Sequence, residues 1–105
     1  MSKNSGGFFQ AVYAVVKTIP SGRVTTYGAV AAMTGYPKRA KYVGYALHVN
    51  PEPGVIPCHR VVDRKGRVSS AFAFGGKNAQ EELLRSEGVD VVDDAVDLAR
   101  YFWIK

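Results

Sequence analysis

The chain has 105 residues, of which 47% are hydrophobic, and its formal net charge is +5. These values predict one folded domain over residues 1–105 and exclude a disordered or low-complexity chain. No apolar run approaches the roughly 18 residues that a membrane span needs, so we expect no membrane partner. The single cysteine, Cys58, excludes an internal disulfide and favours a reducing, intracellular location.

Positive charge is concentrated in the first two-thirds of the chain. Residues 1–67 hold ten Lys or Arg against two acids (+8), whereas residues 68–105 hold four against seven (−3). Such asymmetry suits a polyanionic partner, because neutralising phosphates releases counterions and drives binding. The alternative is an ordinary solvated basic surface. Charge alone therefore makes nucleic acid a candidate partner and no more.

Apolar residues at helical spacing predict three helices in the first half of the chain. The first covers residues 8–19 and ends before the turn sequence at 20–22. The second follows Thr25, a predicted N-cap. The third runs from about Lys38 to His48, after a break that contains Gly35. Two short helices joined by a glycine-containing turn form the helix-turn-helix pattern.

The predicted third helix has two unlike sides. One side is predicted to face the core and carries Val43, Ala46, Leu47 and Asn50. The opposite side carries Lys41, Gly44, Tyr45 and His48. A partner that contacted this second side would meet a cation, the open space beside a glycine and two ring side chains. The alternative is that this side simply faces solvent with a mixture of polar and aromatic residues. Gly44 favours a partner, because a glycine inside a helix costs roughly 1 kcal/mol against alanine and a close approach would explain it.

A basic turn at residues 63–66 predicts a β-hairpin between Arg60–Val62 and Arg67–Ser69. A basic hairpin after a helix-turn-helix is the arrangement of a wing. A last helix is predicted over about Asn78–Ser86, and the apolar tail after it is predicted to pack back on the core. The predicted fold class is mainly α with a short β-hairpin, a winged-helix-like helix-turn-helix DNA-binding domain.

Cys58 is the strong nucleophile candidate, although a lone cysteine is by default a small buried hydrophobe. His59 and Arg60 follow it directly, and nearby cations are expected to lower the thiol pKa and favour thiolate. Neighbouring Cys and His side chains do not easily meet, so a water molecule would relay the proton. Glu87 is suited to orienting an imidazole, and an exposed acid is the alternative. One Cys and two His leave a zinc site short of ligands, so we expect no metal.

The run Ile56-Pro57-Cys58-His59-Arg60-Val61-Val62 resembles the active-site motif of the O6-alkylguanine-DNA alkyltransferase family. Other family features follow in the same order: residues 19–28 resemble the approach to the helix-turn-helix, 41–47 the recognition helix, 50–51 the hinge and 83–88 the final helix. The resemblance covers about residues 8–88.

This resemblance implies a DNA repair protein that binds O6-alkylguanine in duplex DNA, flips the base and moves its alkyl group irreversibly to Cys58 without a cofactor. His59 would act through water as the base, and Glu87 would orient it. Tyr27 would crowd the phosphate beside the lesion. The other residues expected to contact DNA, in the minor groove, are Lys38, Arg39, Ala40, Lys41, Gly44, Tyr45 and Arg60. The base pocket and hinge would comprise Leu47, Asn50, Val61, Ala73, Phe74 and Gly75. We expect a monomer, cytoplasmic or associated with the nucleoid.

Three features depart from the family pattern. The full-length enzymes carry an extra N-terminal domain, Lys41 stands where they have an intercalating arginine, and the stretch from Cys58 to Gly76 is longer. Lysine lacks the planar guanidinium that stacks into a vacated gap. These features resemble the alkyltransferase-like subgroup, which binds alkylated DNA without repairing it, usually with tryptophan in the cysteine position. The alternative function is therefore a lesion sensor that recruits other repair proteins. A winged-helix transcription factor and a cysteine hydrolase fit the Cys-His pair less well.

Overall fold

The structure, a computed structural model, describes residues 4–69 and 75–105. Within them the helices are α1 (Asn4–Lys17), α2 (Tyr27–Met33), α3 (Ala40–His48), α4 (Gly76–Ser86) and α5 (Leu98–Tyr101). The strands, each of two residues, are β1 (Thr25–Thr26), β2 (Val61–Val62), β3 (Val91–Val92) and β4 (Ala95–Val96), and a 3₁₀ turn covers Cys58–Arg60. The predicted mainly helical fold is confirmed. No helix in the described ranges is long and apolar enough to cross a membrane.

Helices α1, α2 and α3 pack around one apolar core. The buried side chains that build it from these helices include Phe8, Val12, Val16, Val30, Ala31, Val43, Ala46 and Leu47. The Tyr13 hydroxyl donates a hydrogen bond of 2.8 Å to the Ala46 carbonyl, which ties α1 to α3. The N-cap of α2 is Thr26, whose Oγ1 accepts from the Ala29 amide at 3.1 Å. The prediction of Thr25 was wrong, because Thr25 is fully buried in β1.

The helix-turn-helix predicted from the sequence is present. Helix α2 is followed by Gly35, whose φ of +92° suits a residue without a side chain. Helix α3 begins at Ala40 rather than near Lys38, with Arg39 as its N-cap residue. Since α2 and α3 both contribute to the same core, the outer side of α3 is left facing solvent.

The predicted hairpin between Arg60–Val62 and Arg67–Ser69 is wrong. Strand β2 pairs instead in parallel with β1, with Thr25 opposite Val61 and Thr26 opposite Val62. The turn between the two segments does form, because Oδ1 of Asp63 accepts from the amides of Lys65 and Arg67 at 2.8 and 2.9 Å. The residues that follow the turn, however, do not return along β2.

The hairpin of this fold lies near the C-terminus, where β3 and β4 pair in antiparallel fashion around Asp93 and Asp94. It covers the basic turn: the Val96 amide donates to the Gly66 carbonyl at 2.8 Å, and the Val68 amide donates to the Asp94 carbonyl at 2.9 Å. A side chain at Gly66 would collide with the Val96 carbonyl. The turn is therefore held against the C-terminal hairpin on one side instead of standing free as a wing.

The tail packs back on the domain, as predicted. The Val24 amide donates to the Tyr101 carbonyl at 3.0 Å, and the Trp103 amide donates to the Val24 carbonyl at 2.8 Å. Tyr101 is buried in a second apolar cluster that also contains Val24, Val62, Leu84, Val89 and Val96. This cluster supports the 3₁₀ turn and β2 from the side opposite the helix-turn-helix.

Candidate functional site

Cys58 begins the 3₁₀ turn and is buried, with 8% of its surface exposed. Its amide donates to the Ile56 carbonyl at 2.8 Å. The side chain of Asn50 braces this turn, because Nδ2 donates to the same Ile56 carbonyl at 2.8 Å and Oδ1 accepts from the Glu52 amide at 2.8 Å. The segment that follows α3 thus fixes the backbone that carries the thiol.

The environment of Cys58 favours the neutral thiol. Burial raises the thiol pKa above its ordinary value, and the hydrogen bond from the Asn50 side chain lowers it by less. The expectation that His59 and Arg60 would lower this pKa was wrong. Burial and, to a smaller extent, the charge of Arg60 lower the pKa of His59 more than Glu87 raises it, so the imidazole is mainly neutral at neutral pH. Arg60 forms an ion pair with Glu87, so its positive charge is neutralised there and does not lower the pKa of the thiol.

His59 lies against Glu87, and the distance between Nε2 and Oε2 is 3.0 Å. Burial raises the pKa of Glu87, but the hydrogen bonds from Arg60 and His59 outweigh burial and leave that pKa below its ordinary value. An ionised carboxylate accepts only, so the neutral imidazole carries its proton on Nε2. Nδ1 is then the nitrogen with a free lone pair, which is the form that a general base requires.

Arg60 is an internal ion-pair partner. Its Nε donates to Oε1 of Glu87 at 2.9 Å, Nη2 donates to Oε2 at 2.6 Å, and Nη1 donates to the Ile19 carbonyl at 2.8 Å. The guanidinium is turned inward in this geometry, and a contact between Arg60 and DNA stays a prediction. Its bidentate contact is the strong form of an arginine–carboxylate pair.

Gln80, a site residue that was not predicted from the sequence, is 1% exposed on α4. Its Nε2 donates to the carbonyls of His59 and Val61, both at 3.1 Å, and its Oε1 accepts from the Ser69 amide at 2.8 Å. Gln80 therefore fixes the chain on both sides of the basic turn. Its position four residues before Leu84 places it on the buried side of α4, and a polar residue on such a side is the signal that was available.

Tyr27, the first residue of α2, is half-buried near Cys58 and Asp63. Burial raises the pKa of its hydroxyl, and the negative charge of Asp63 raises it further. A cavity of about 400 Å³ lies beside this ring and is lined by Tyr27, Asp63, Arg67, Val68, Ser69, Lys77 and Asp94. Tyr27 therefore packs against the cluster that contains Cys58 and also lines this polar cavity.

The residues expected to form the base pocket are divided by the structure. Leu47 and Val61 are buried in the same apolar cluster as Cys58. Gly75 is exposed and is the N-cap residue of α4, with a φ of 124°. Ala73 and Phe74 lie outside the described residues. A base-pocket role for this set stays a prediction.

The outer side of α3 carries the residues expected to meet DNA. Lys38, Arg39, Lys41, Tyr45 and His48 are exposed, whereas Val43, Ala46, Leu47 and Asn50 are buried. Ala40 and Gly44 are partly exposed, and a side chain at Gly44 would meet nothing within 4 Å. The glycine is therefore not required by packing within the chain. Arg39 stacks over the Tyr36 ring at 4.8 Å and over Phe8 at 5.6 Å.

In the described part of the chain, no group of three or more His, Cys, Asp or Glu side chains is placed to hold a metal ion. The groups that this site makes available for a reaction are a buried thiol, a neutral imidazole and a carboxylate paired with arginine.

Comparison with known proteins identifies the domain type. The family described as 6-O-methylguanine DNA methyltransferase, DNA binding domain, matches residues 7–89. Alkyltransferase-like protein 1 of Schizosaccharomyces pombe is 36% identical over 102 residues, which cover 91% of this chain and 94% of that protein. The DNA base-flipping protein of Escherichia coli is 42% identical over 97 residues, which cover 91% of this chain and 74% of that protein.

A crystal structure of S. pombe Atl1 in complex with damaged DNA containing O6-carboxymethylguanine has the same fold, with a TM-score of 0.85, 33% identity and 100% coverage of both chains. The methylated-DNA--protein-cysteine methyltransferase of Salmonella typhimurium is 43% identical over 81 residues, which cover 77% of this chain but only 46% of that enzyme. The chain thus spans less than half the length of that enzyme.

Proposed function

The chain belongs to the 6-O-methylguanine DNA methyltransferase family through its DNA-binding domain, and we propose that it binds O6-alkylguanine in duplex DNA, extrudes the base and accepts the alkyl group on Cys58. The observation that carries the catalytic part is the contact between His59 and Glu87 beside a buried thiol. A carboxylate that fixes the imidazole tautomer leaves the other ring nitrogen able to accept a proton, which is the arrangement that activates a nucleophile.

DNA binding is supported by the outer side of α3 and the residues before it. Lys38, Arg39 and Lys41 are exposed and face no described acidic partner in an ion pair. Cations of this kind bind phosphates without reading sequence. The nearby glycine at Gly44 leaves room for a close approach of α3 to a groove.

The transfer step balances without a cofactor. The thiol of Cys58 gives its proton, through a water molecule, to Nδ1 of His59, and the sulfur attacks the alkyl carbon. The bond from sulfur to carbon forms as the bond from carbon to O6 breaks. Guanine leaves with the electron pair and takes up one proton, which protonated His59 returns through water. The proton lost by the thiol therefore ends on guanine, and His59 is neutral again. The product is an alkylated cysteine, and each protein molecule reacts once.

Because the pKa of Cys58 is raised, the free protein holds the neutral thiol, and the thiolate forms only when the proton is removed during transfer. Transient charge on sulfur is stabilised by the hydrogen bond from Asn50. The proton taken up by His59 is stabilised by Glu87. The ion pair with Arg60 keeps Glu87 ionised for this purpose.

Intact-mass measurement after incubation with an O6-methylguanine duplex tests the proposal. We expect the protein to gain the mass that corresponds to replacing a hydrogen by a methyl group, and peptide mapping to place it on Cys58. The variant Cys58→Ser should gain no mass and still bind the duplex, because the two side chains are nearly isosteric.

A second candidate function is a lesion sensor that holds the extruded base without reacting and recruits other repair proteins. It is favoured by the burial that raises the Cys58 pKa, and by the similarity to proteins named alkyltransferase-like and base-flipping. Tight binding of the O6-methylguanine duplex with an unchanged protein mass after long incubation would establish this second function in place of the first.

A further inference from the structure

Two tyrosines on the outer side of α3 lie outside both apolar clusters of the described residues. Tyr42 and Tyr45 are 51% and 50% exposed. We propose that the ring of Tyr45, supported by Tyr42, enters the duplex and fills the gap that the extruded base leaves. This inference rests on the proposed function, because such a gap forms only when a base leaves the stack.

The two rings are organised before any partner arrives. Their centroids are 5.6 Å apart and their planes meet at 81°, an edge-to-face contact. The Lys41 ammonium lies 6.0 Å from the centre of the Tyr45 ring. This is the outer limit of a cation–π contact, so the ammonium attracts the ring only weakly. A ring with few rotamers that is already positioned loses little entropy when it stacks.

Tyr45 is better suited than Lys41 to filling the gap that the extruded base leaves. An ammonium group is a compact, strongly hydrated charge with no plane to lay against a base. Side chains that enter a duplex between base steps are apolar wedges, and aromatic rings stack on any base. Lys41 lies one helical turn before Tyr45 on the same side of α3, so its charge is placed for the phosphates that flank the gap.

The third half-exposed tyrosine of this region serves as a matched control. Tyr36 is 51% exposed, but its ring packs at 5.9 Å against Phe8 and lies under Arg39 at 4.8 Å. It also precedes α3 instead of lying on its outer side. Tyr36 therefore tests whether any exposed ring in the basic region has the same effect.

The experiment compares dissociation constants for three duplexes of one sequence: undamaged, with O6-methylguanine, and with an abasic site in place of the lesion. The abasic duplex has a gap but no base to place near Cys58, so it isolates the contact proposed for Tyr45. Tyr45→Ala should weaken binding to the abasic and the lesion duplexes by roughly tenfold and barely affect the undamaged one. Tyr45→Phe should restore binding, because the ring and not the hydroxyl stacks. Tyr36→Ala should leave the ratios between duplexes unchanged.

Several results would overturn the inference. One is an abasic-site affinity that Tyr45→Ala leaves intact. Another is an equal loss on all three duplexes, which would make Tyr45 a general groove contact. A third is failure of Tyr45→Phe to restore binding, which would assign the effect to the hydroxyl. In each case a wild-type preference for the lesion over undamaged DNA would remain, so the proposed function would stand. Loss of that preference in the wild type would refute the proposed function instead.

Discussion

Nε2 of His59 lies 3.0 Å from Oε2 of Glu87, although 28 positions separate the two residues in the sequence. The same carboxylate accepts two hydrogen bonds from Arg60. One acid at the end of α4 therefore sets the tautomer of the imidazole and neutralises a cation that would otherwise be buried alone. The site beside Cys58 depends on this carboxylate for both structure and chemistry.

The first prediction concerns that carboxylate. Glu87→Gln should lower the free energy of unfolding by about 3 kcal/mol, because it leaves the Arg60 guanidinium partly buried without its countercharge. It should also slow methyl transfer by at least about tenfold, because a neutral amide stabilises a protonated imidazole poorly. Urea denaturation and a single-turnover transfer assay measure the two effects.

Glu82→Gln is the matched control, because Glu82 is exposed on the same helix. It should change neither quantity appreciably. Equal stabilities of Glu87→Gln and the wild type would mean that the ion pair with Arg60 contributes nothing to folding.

The second prediction concerns pH. Burial holds the pKa of His59 below its ordinary value of 6.5, so the native protein binds this proton more weakly than the unfolded chain. The contribution of His59 to the free energy of unfolding is therefore complete above pH 6.5 and is lost as the pH falls below it. Glu87 acts with the same sign in more acid solution, because its pKa lies below its ordinary value of 4.5. Urea titrations between about pH 5 and pH 8 should show stability rising with pH.

His59→Gln should flatten this dependence in the upper part of the range, because the titrating group is removed. His48, the other histidine, is exposed on α3, and His48→Gln should keep the wild-type dependence. If the two variants have the same pH profile, the acid sensitivity arises elsewhere in the chain.

The helical part of this fold could be predicted from the sequence because its signals are local. Apolar residues at helical spacing and the glycine at Gly35 are sufficient to place α2 and α3 to within a few residues. The hairpin could not be placed in the same way. Asp63 and Gly66 correctly predicted a turn, but strand partners depend on distant segments, and β1 offered Val61 a parallel neighbour that no local pattern indicates.

The site was predictable in its members but not in its electrostatics. The family resemblance predicted that Glu87 orients His59, and the two side chains do meet. The state of the thiol could not be read from neighbours in sequence, because burial of Cys58 and the inward turn of Arg60 are products of packing. Gln80 was missed for the same reason, since its three hydrogen bonds reach segments far along the chain.

The third prediction concerns the basic side of α3. Lys41→Gln should weaken binding to lesion and undamaged duplexes alike and reduce the dependence of log Kd on log salt concentration by about one, because one phosphate contact is lost. Fluorescence anisotropy over a salt series measures this slope. Lys77→Gln is the control, because Lys77 is paired with Asp94 at 2.8 Å, and it should leave the slope unchanged. A reduced slope for Lys77→Gln alone would place the DNA-binding surface near the cavity beside Tyr27 instead of on α3.

The last prediction concerns the reactivity of the thiol in free protein. Because burial raises the pKa of Cys58, its reaction with iodoacetamide should remain slow at neutral pH and accelerate only above about pH 8.5, the ordinary range of a free cysteine. Asn50→Asp should shift this rise to still higher pH, because a carboxylate replaces the amide that donates to sulfur. As the chain has one cysteine, mass spectrometry reports its alkylation directly. Fast labelling of the native wild type at neutral pH would instead mean that Cys58 stores a thiolate, and that His59 is not needed to remove its proton during transfer.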